Sequence, residues 1–193
     1  DDWFGILAGP PHVVDAYKLI LQHLKVNRFA CVTETENSRE DAERVGKIAK
    51  SCGKLPLIIS LGHHMMTFAV PVESSSTVVF DNHVDNHKGS RFSCASFLRQ
   101  MRGDVYVLGC TRVFDEDSHI SYFRPEQIDL FPLNIPTKSM FVSIDIDVLK
   151  KEYTRHHFWD SGLLSPDRLK KIIYRILSRR MLCGLNVASY YPA

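Results

Sequence analysis

Apolar and polar positions fall into alternating blocks along this chain. Phe4-Gly5-Ile6-Leu7-Ala8 reads as a strand ending in Gly9-Pro10-Pro11. Val13, Ala16, Tyr17, Ile20, Leu21 and Leu24 then recur at helical spacing, which predicts a helix over 13–24. Phe29-Ala30-Cys31-Val32 is a second strand. A helix capped by Ser38 runs to about Ser51, with acids early, lysines late and Gly53 as its stop. Leu57–Leu61 is continuously apolar but for Ser60, as a strand covered on both faces requires. Thr77–Phe80, Val105–Gly109, Met140–Ile144 and Cys183–Ala188 repeat that pattern as further strands. A helix is expected over 93–101, and Arg124-Pro125-Glu126-Gln127 opens a helical turn in the otherwise unpatterned stretch 114–136. Ser165-Pro166 starts a helix whose Leu169, Ile172, Ile173, Ile176 and Leu177 share one face.

Apolar strands alternating with helices mean a mainly parallel sheet with helices on both sides, an α/β fold. No fixed-period repeat, low-complexity stretch or domain boundary interrupts the pattern, so residues 1–193 are expected to form a single domain. The net charge of +2 comes without a basic stripe or basic–aromatic interleaving, which disfavours nucleic acid as a partner. No apolar run approaches the roughly 20 residues needed to cross a bilayer, so no membrane span is expected. Asp1-Asp2-Trp3 lacks the basic start of a signal peptide. The five cysteines are odd in number, scattered, and include no Cys-x-x-Cys pair. These features point to a reducing, cytoplasmic setting.

In open parallel sheets, sites form beyond the carboxyl ends of the strands. Three strand ends here carry metal-ligand chemistry: Gly62-His63-His64, Asp81-Asn82-His83-Val84-Asp85 and Asp145-Ile146-Asp147. Extended geometry past Phe80 turns Asp81, His83 and Asp85 the same way. Four carboxylates in one crevice cannot all stay ionised without a counter-charge, and the apolar strands supply no lysine. Two divalent cations would balance Asp81, Asp85, Asp145 and Asp147, with His64 and His83 completing the ligand set. Mixed oxygen and nitrogen donors suit manganese, with zinc, iron and cobalt as alternatives, and calcium would want more oxygens. A metal pair about 3.5–4 Å apart can hold a hydroxide able to attack a planar carbon. No Gly-x-Ser-x-Gly elbow or phosphate-binding Gly-rich loop offers another chemistry.

Gly62-His63-His64, Asp81-x-His83-x-Asp85 and Ser143-Ile144-Asp145-Ile146-Asp147, in this order, resemble the ureohydrolase family of arginases and agmatinases. The resemblance runs from about Leu57 to Pro192. It implies a three-layer α/β/α sandwich of the arginase/deacetylase kind, two Mn²⁺ per chain, frequent assembly into homo-trimers or hexamers, and hydrolysis of guanidino or amidino carbon–nitrogen bonds in a small-molecule substrate. Carried over by position, the metal ligands are His64, Asp81, His83, Asp85, Asp145 and Asp147. His63 stands where the family has an Asp. Leu108-Gly109-Cys110-Thr111-Arg112 is similar to the family's Ile-Gly-x-Arg, and Phe92-Ser93-Cys94-Ala95-Ser96 to the agmatinase Phe-Ser-His-Ala-Ser. Cys94 thus replaces the histidine implied as proton shuttle. Cys94 and His87 are the candidates for that role, with Asp85 orienting the nucleophile. Val187–Pro192 resembles the segment that carries the family's guanidinium-binding glutamate, but Ala188 or Ser189 occupies that place. The family's Gly-Thr-Gly-Thr-Pro loop is absent, and a basic, aromatic stretch over 153–160 offers a wall for a neutral or anionic substrate. Arg91, His157 and Ser189 are the expected substrate contacts. Two other readings stay open. One is a single-zinc amide deacetylase, which shares the fold's ancestry and its Asp/His/Asp metal. The other is a catalytically impaired, metal-binding regulatory subunit.

Overall fold

The computed structural model describes residues 2–33, 35, 38–60, 64–68, 70, 75–89, 91–132, 135–154 and 160–189. In chain order the elements are β1 (Trp3–Ala8), α1 (Pro11–His23), β2 (Phe29–Val32), α2 (Ser38–Ser51), β3 (Leu55–Ser60), β4 (Ser75–Phe80), β5 (His83–Val84), β6 (Val105–Leu108), β7 (Arg112–Val113), β8 (Ile120–Phe123), β9 (Ser139–Asp145), α3 (Pro166–Leu177) and β10 (Met181–Ala188). Eight strands form one sheet in the order β2-β1-β3-β10-β9-β4-β6-β8, and β5 and β7 form a separate pair. The strand pairings are parallel.

Register sorts the side chains into layers. Leu57, Leu185, Val142 and Val78 are successive partners across β3, β10, β9 and β4, so they share one face. On that face α1 contributes Val13, Tyr17 and Leu21 to the core, and α3 contributes Leu169, Ile172 and Ile176. The alternate positions Ile58, Phe141 and Val79 face the other way and pack with Ala42, Val45 and Ala49 of α2. The result is the expected α/β/α sandwich. Ser165 caps α3 by accepting a hydrogen bond from the Arg168 N–H at 3.3 Å, with Pro166 at the first helical position. Burying its three core side chains is worth about 1.5–3 kcal/mol each. Among the described residues no helix is long and apolar enough to cross a membrane.

Two expectations fail for identifiable reasons. The stretch 93–101 is not an α-helix but a set of turns closed by a 3₁₀ turn over Phe97–Gln100. Its backbone groups are taken by a neighbouring segment: the Leu98 N–H donates to the Asp85 carbonyl at 3.2 Å, and the Ala95 carbonyl accepts from the His87 N–H at 2.8 Å. Those bonds use the donor and acceptor that an α-helix would need. The unpatterned stretch 114–136 contains a strand, β8, on the edge of the sheet beside β6. Its alternating Ile-Ser-Tyr-Phe sequence leaves Ser121 and Tyr122 exposed, so it lacks the continuous apolar run that marks the inner strands.

Gly109, just past β6, adopts φ +93°, and a Cβ there would lie 2.6 Å from Val148 Cγ2. Gly109→Ala is expected to lose about 1–3 kcal/mol, seen as a melting temperature lower by about 2–4 °C per kcal/mol. An unchanged melting temperature would contradict this packing.

Candidate metal centre and cleft

The site is built by adjacency in the sheet. β4 lies beside β9 with Phe80 opposite Ile144, so Asp81, the next residue, comes alongside Asp145. β10 flanks β9 on the other side with Ala188 opposite Asp145, which brings Ser189 to the same strand end. After Asp145 the chain makes a 3₁₀ turn, and the Asp145 carboxylate accepts from the Asp147 N–H at 3.1 Å. This turn points Asp147 back toward β4. Asp147 Oδ1 accepts from the Asn82 N–H at 3.1 Å, and its Oδ2 lies 3.0 Å from His83 Nδ1. Asp81 Oδ1 accepts from the His83 N–H at 2.7 Å and lies 3.6 Å from His83 Nδ1. Gly162 closes the back of this turn by donating its N–H to the Asp147 carbonyl at 2.6 Å. A Cβ on Gly162 would collide with the Val148 carbonyl.

Asp81, His83 and Asp147 thus offer three ligand atoms, all within 4.8 Å of one another. Two hard oxygens and an imidazole nitrogen at that spacing fit a divalent ion of the manganese or zinc type. Asp85 and Asp145 line the same cleft of about 190 Å³, together with Cys94, Ala95, Arg112 and Phe114. The side chain of His64, which opens a 3₁₀ turn after β3, lies outside the described residues, as does His157. The sheet therefore gathers Asp81, His83, Asp85, Asp145 and Asp147 from two strand ends.

The remaining candidates sort by position. Cys94 is half-buried on the cleft wall. Burial pushes its thiol pKa up, and the nearby Asp85 charge adds to the effect. His87 is exposed and sits edge-on to Phe114 with ring centroids 6.2 Å apart, but it does not line the cleft. Arg91 is also exposed and off the cleft wall; its carbonyl accepts from the Ser96 hydroxyl at 2.7 Å. Ser189 is buried, with φ +57°, and donates its hydroxyl to Asp145 Oδ2 at 2.8 Å. It braces a carboxylate from behind and is not on the cleft wall. Two wall residues, Arg112 and Phe114, escape a reading of the sequence by strand ends. They arrive through the two-residue pairing of β5 with β7, where His83 is opposite Arg112. The likeness of Leu108–Arg112 to the family's Ile-Gly-x-Arg, with one more residue between Gly109 and Arg112, is the signal in the sequence for Arg112. Phe114 carries none, and its ring stacks on His83 at a centroid distance of 6.4 Å.

The electrostatics, among the described residues, are those of an acidic cluster with the His83 imidazolium inside it and Arg112 on the cleft wall. Hydrogen bonds to Asp147 and Asp81 hold the His83 imidazolium, raising its pKa to about 10 against the opposing effect of burial. Burial alone would raise the Asp147 pKa, but the bonds from His83 and from the Asn82 N–H outweigh it and hold this carboxyl below the usual range.

No family model matches the sequence, and no curated protein matches it. Solved structures do. An agmatine ureohydrolase of Thermoplasma volcanium superposes with a TM-score of 0.75 at 15% identity, over 98% of this chain and 82% of that one. An arginase from Bacillus subtilis gives 0.72 at 12% identity, over 98% and 90%. A formimidoylglutamase from Bacillus subtilis gives 0.71 at 12% identity, over 100% and 80%.

Because the His83 pKa is raised on folding, its contribution to stability is complete below its unfolded value near 6.5 and is lost as pH rises through about 10. Metal-free protein should therefore melt at progressively lower temperature between those limits, and His83→Gln should flatten the dependence. Metal capture near pH 8 should release about one proton per chain from His83, measurable by calorimetry in buffers of different ionisation enthalpy. Uptake without proton release would contradict the assignment. At this level of similarity the comparisons establish architecture: the chain has the fold shared by arginases and agmatinases.

Proposed function

We propose that this protein is a metal-dependent hydrolase of the ureohydrolase type, cleaving a carbon–nitrogen bond of a small linear guanidine, amidine or amide. The observation that carries the proposal is the convergence of the Asp81, His83 and Asp147 donor atoms within 4.8 Å, on a cleft that Asp85 and Asp145 also line. Asp81, His83 and Asp147 would hold one divalent ion; Asp85, Asp145 and His64 would complete a second site. Manganese is the proposed metal. A divalent ion held there supplies Lewis acidity and activates water toward a planar carbon.

The chain's own groups divide the remaining work. Asp85, half-buried on the cleft wall, would orient the nucleophile. Cys94, half-buried on the cleft wall with burial pushing its thiol pKa up, would be the proton donor to a departing nitrogen. That role favours Cys94 over His87, which lies off the cleft wall. Ser189 would act through Asp145, fixing the carboxylate's orientation. Phe114 and Ala95 would exclude water from the reacting end. A cytoplasmic homo-trimer or hexamer belongs to the same proposal.

One observation favours a second reading. Asp81, His83 and Asp147 form a complete Asp/His/Asp set, which is the requirement of a single-zinc amide deacetylase. Metal stoichiometry separates the two. Elemental analysis of protein purified without chelators should give about two divalent metals per chain; one zinc per chain, with amide but no guanidine hydrolysis, would decide for the deacetylase. Bound metal without release of urea or ammonia from guanidines, amidines and amides would leave a regulatory subunit. Where turnover is found, Cys94→Ala should lower kcat by about 10²–10⁴-fold with metal content unchanged. Full activity in that variant would remove Cys94 from the mechanism.

A further inference from the structure

We infer that the substrate carries a carboxylate at the end remote from the reacting group, and that Arg112 is the residue that recognises it. This rests on the hydrolase reading above. The metal-ligand cleft adjoins a larger open depression of about 630 Å³, lined by Lys150, Lys151, Glu152, Asp160 and neighbours. Among the described residues, Arg112 alone lines both. Among the described residues, the inner cleft is lined by Asp81, Asp85, Asp145 and Asp147, with Arg112 as the permanent cation on its wall. The outer depression adds two lysines and two acids. Of those acids, Asp160 is paired with Arg112 itself. A linear molecule reaching outward from the reacting end therefore passes from four carboxylates to Arg112, and beyond it to a mixed rim where Lys150 and Lys151 stand beside Glu152 and Asp160.

The Asp160 carboxylate on Arg112 indicates what that guanidinium accepts. Both side chains of the pair are 59% exposed, and an ion pair so exposed adds little stability. An incoming carboxylate is chemically the same partner and can exchange with Asp160. A planar guanidinium matches a carboxylate by two parallel hydrogen bonds, which a lysine cannot offer. The backbone on both sides of this exchange is held. The Arg112 N–H donates to the Asn82 carbonyl at 3.2 Å, and the Asn82 side-chain amide donates to the Asp160 carbonyl at 2.9 Å. Thr111 Oγ1 donates to Asn82 Oδ1 at 2.7 Å. Asn82 lies between Asp81 and His83, so Arg112 stands at a set place relative to the metal ligands.

The test uses manganese-loaded protein and three probes with the same guanidino head: 4-guanidinobutyrate, 4-guanidinobutanol and agmatine, whose tails are anionic, neutral and cationic. Calorimetry should rank them in that order, the carboxylate binding about tenfold more tightly than the alcohol. Arg112→Ala should erase this preference and leave the alcohol unaffected, and Arg112→Lys should restore part of it. Asp160→Asn, which removes the internal competitor, should tighten 4-guanidinobutyrate alone. Equal binding of the three, binding of none, or an equal loss for all three in Arg112→Ala would overturn the inference. Turnover is read separately: the predicted binding order with no urea released would remove guanidine hydrolysis from the hydrolase reading and leave the carboxylate subsite standing.

Discussion

Like charges gathered in a partly dry cleft need a counter-charge, and that constraint organises this molecule. Asp81, Asp85, Asp145 and Asp147 line one small cleft, and carboxylates gathered there repel one another unless a cation sits among them. Without metal, the His83 proton is the local remedy, held by Asp147 and Asp81. A divalent ion drawn to the same donors must displace that proton. On the proposed reading the centre would exchange a proton for a metal.

The fold imposes the cluster rather than tolerating it. β4 and β9 are neighbours in a register that sets Asp81 beside Asp145, and a tight turn brings Asp147 back onto His83. Support comes from behind the ligands: Ser189 on Asp145, Asn82 on Asp147, Gly162 against the Asp147 carbonyl. Ligands fixed from outside keep their geometry when charge changes at the centre. The buried Ser189, at φ +57°, is an uncommon backbone choice for a side chain other than glycine, and its bond to Asp145 gives that choice a purpose.

Much of this was legible in the residues alone. Runs such as Val78-Val79-Phe80 and Met140-Phe141-Val142 identify inner strands because both faces are covered, and an acid immediately after such a run marks a strand end. What escaped has no local period. The expected helix over 93–101 gave its backbone bonds to the Asp85–His87 segment, a tertiary event with no trace in spacing. β8 is an edge strand with a half-polar pattern. Arg112 reaches the cleft through a two-residue strand pair, too short for any periodicity to reveal. The place of the family's guanidinium-binding glutamate points to Ser189 as a substrate contact; its hydroxyl donates to Asp145 Oδ2, a tertiary contact that spacing along the chain does not reveal.

The most direct measurement is anomalous diffraction from crystals grown with manganese. The account predicts a manganese peak within about 2.2 Å of ligand atoms from Asp81, His83 and Asp147, with a second close by, toward Asp85 and Asp145. Crystals in which manganese binds elsewhere, or in which His83 stays paired with Asp147 and the cleft holds no metal, would contradict it.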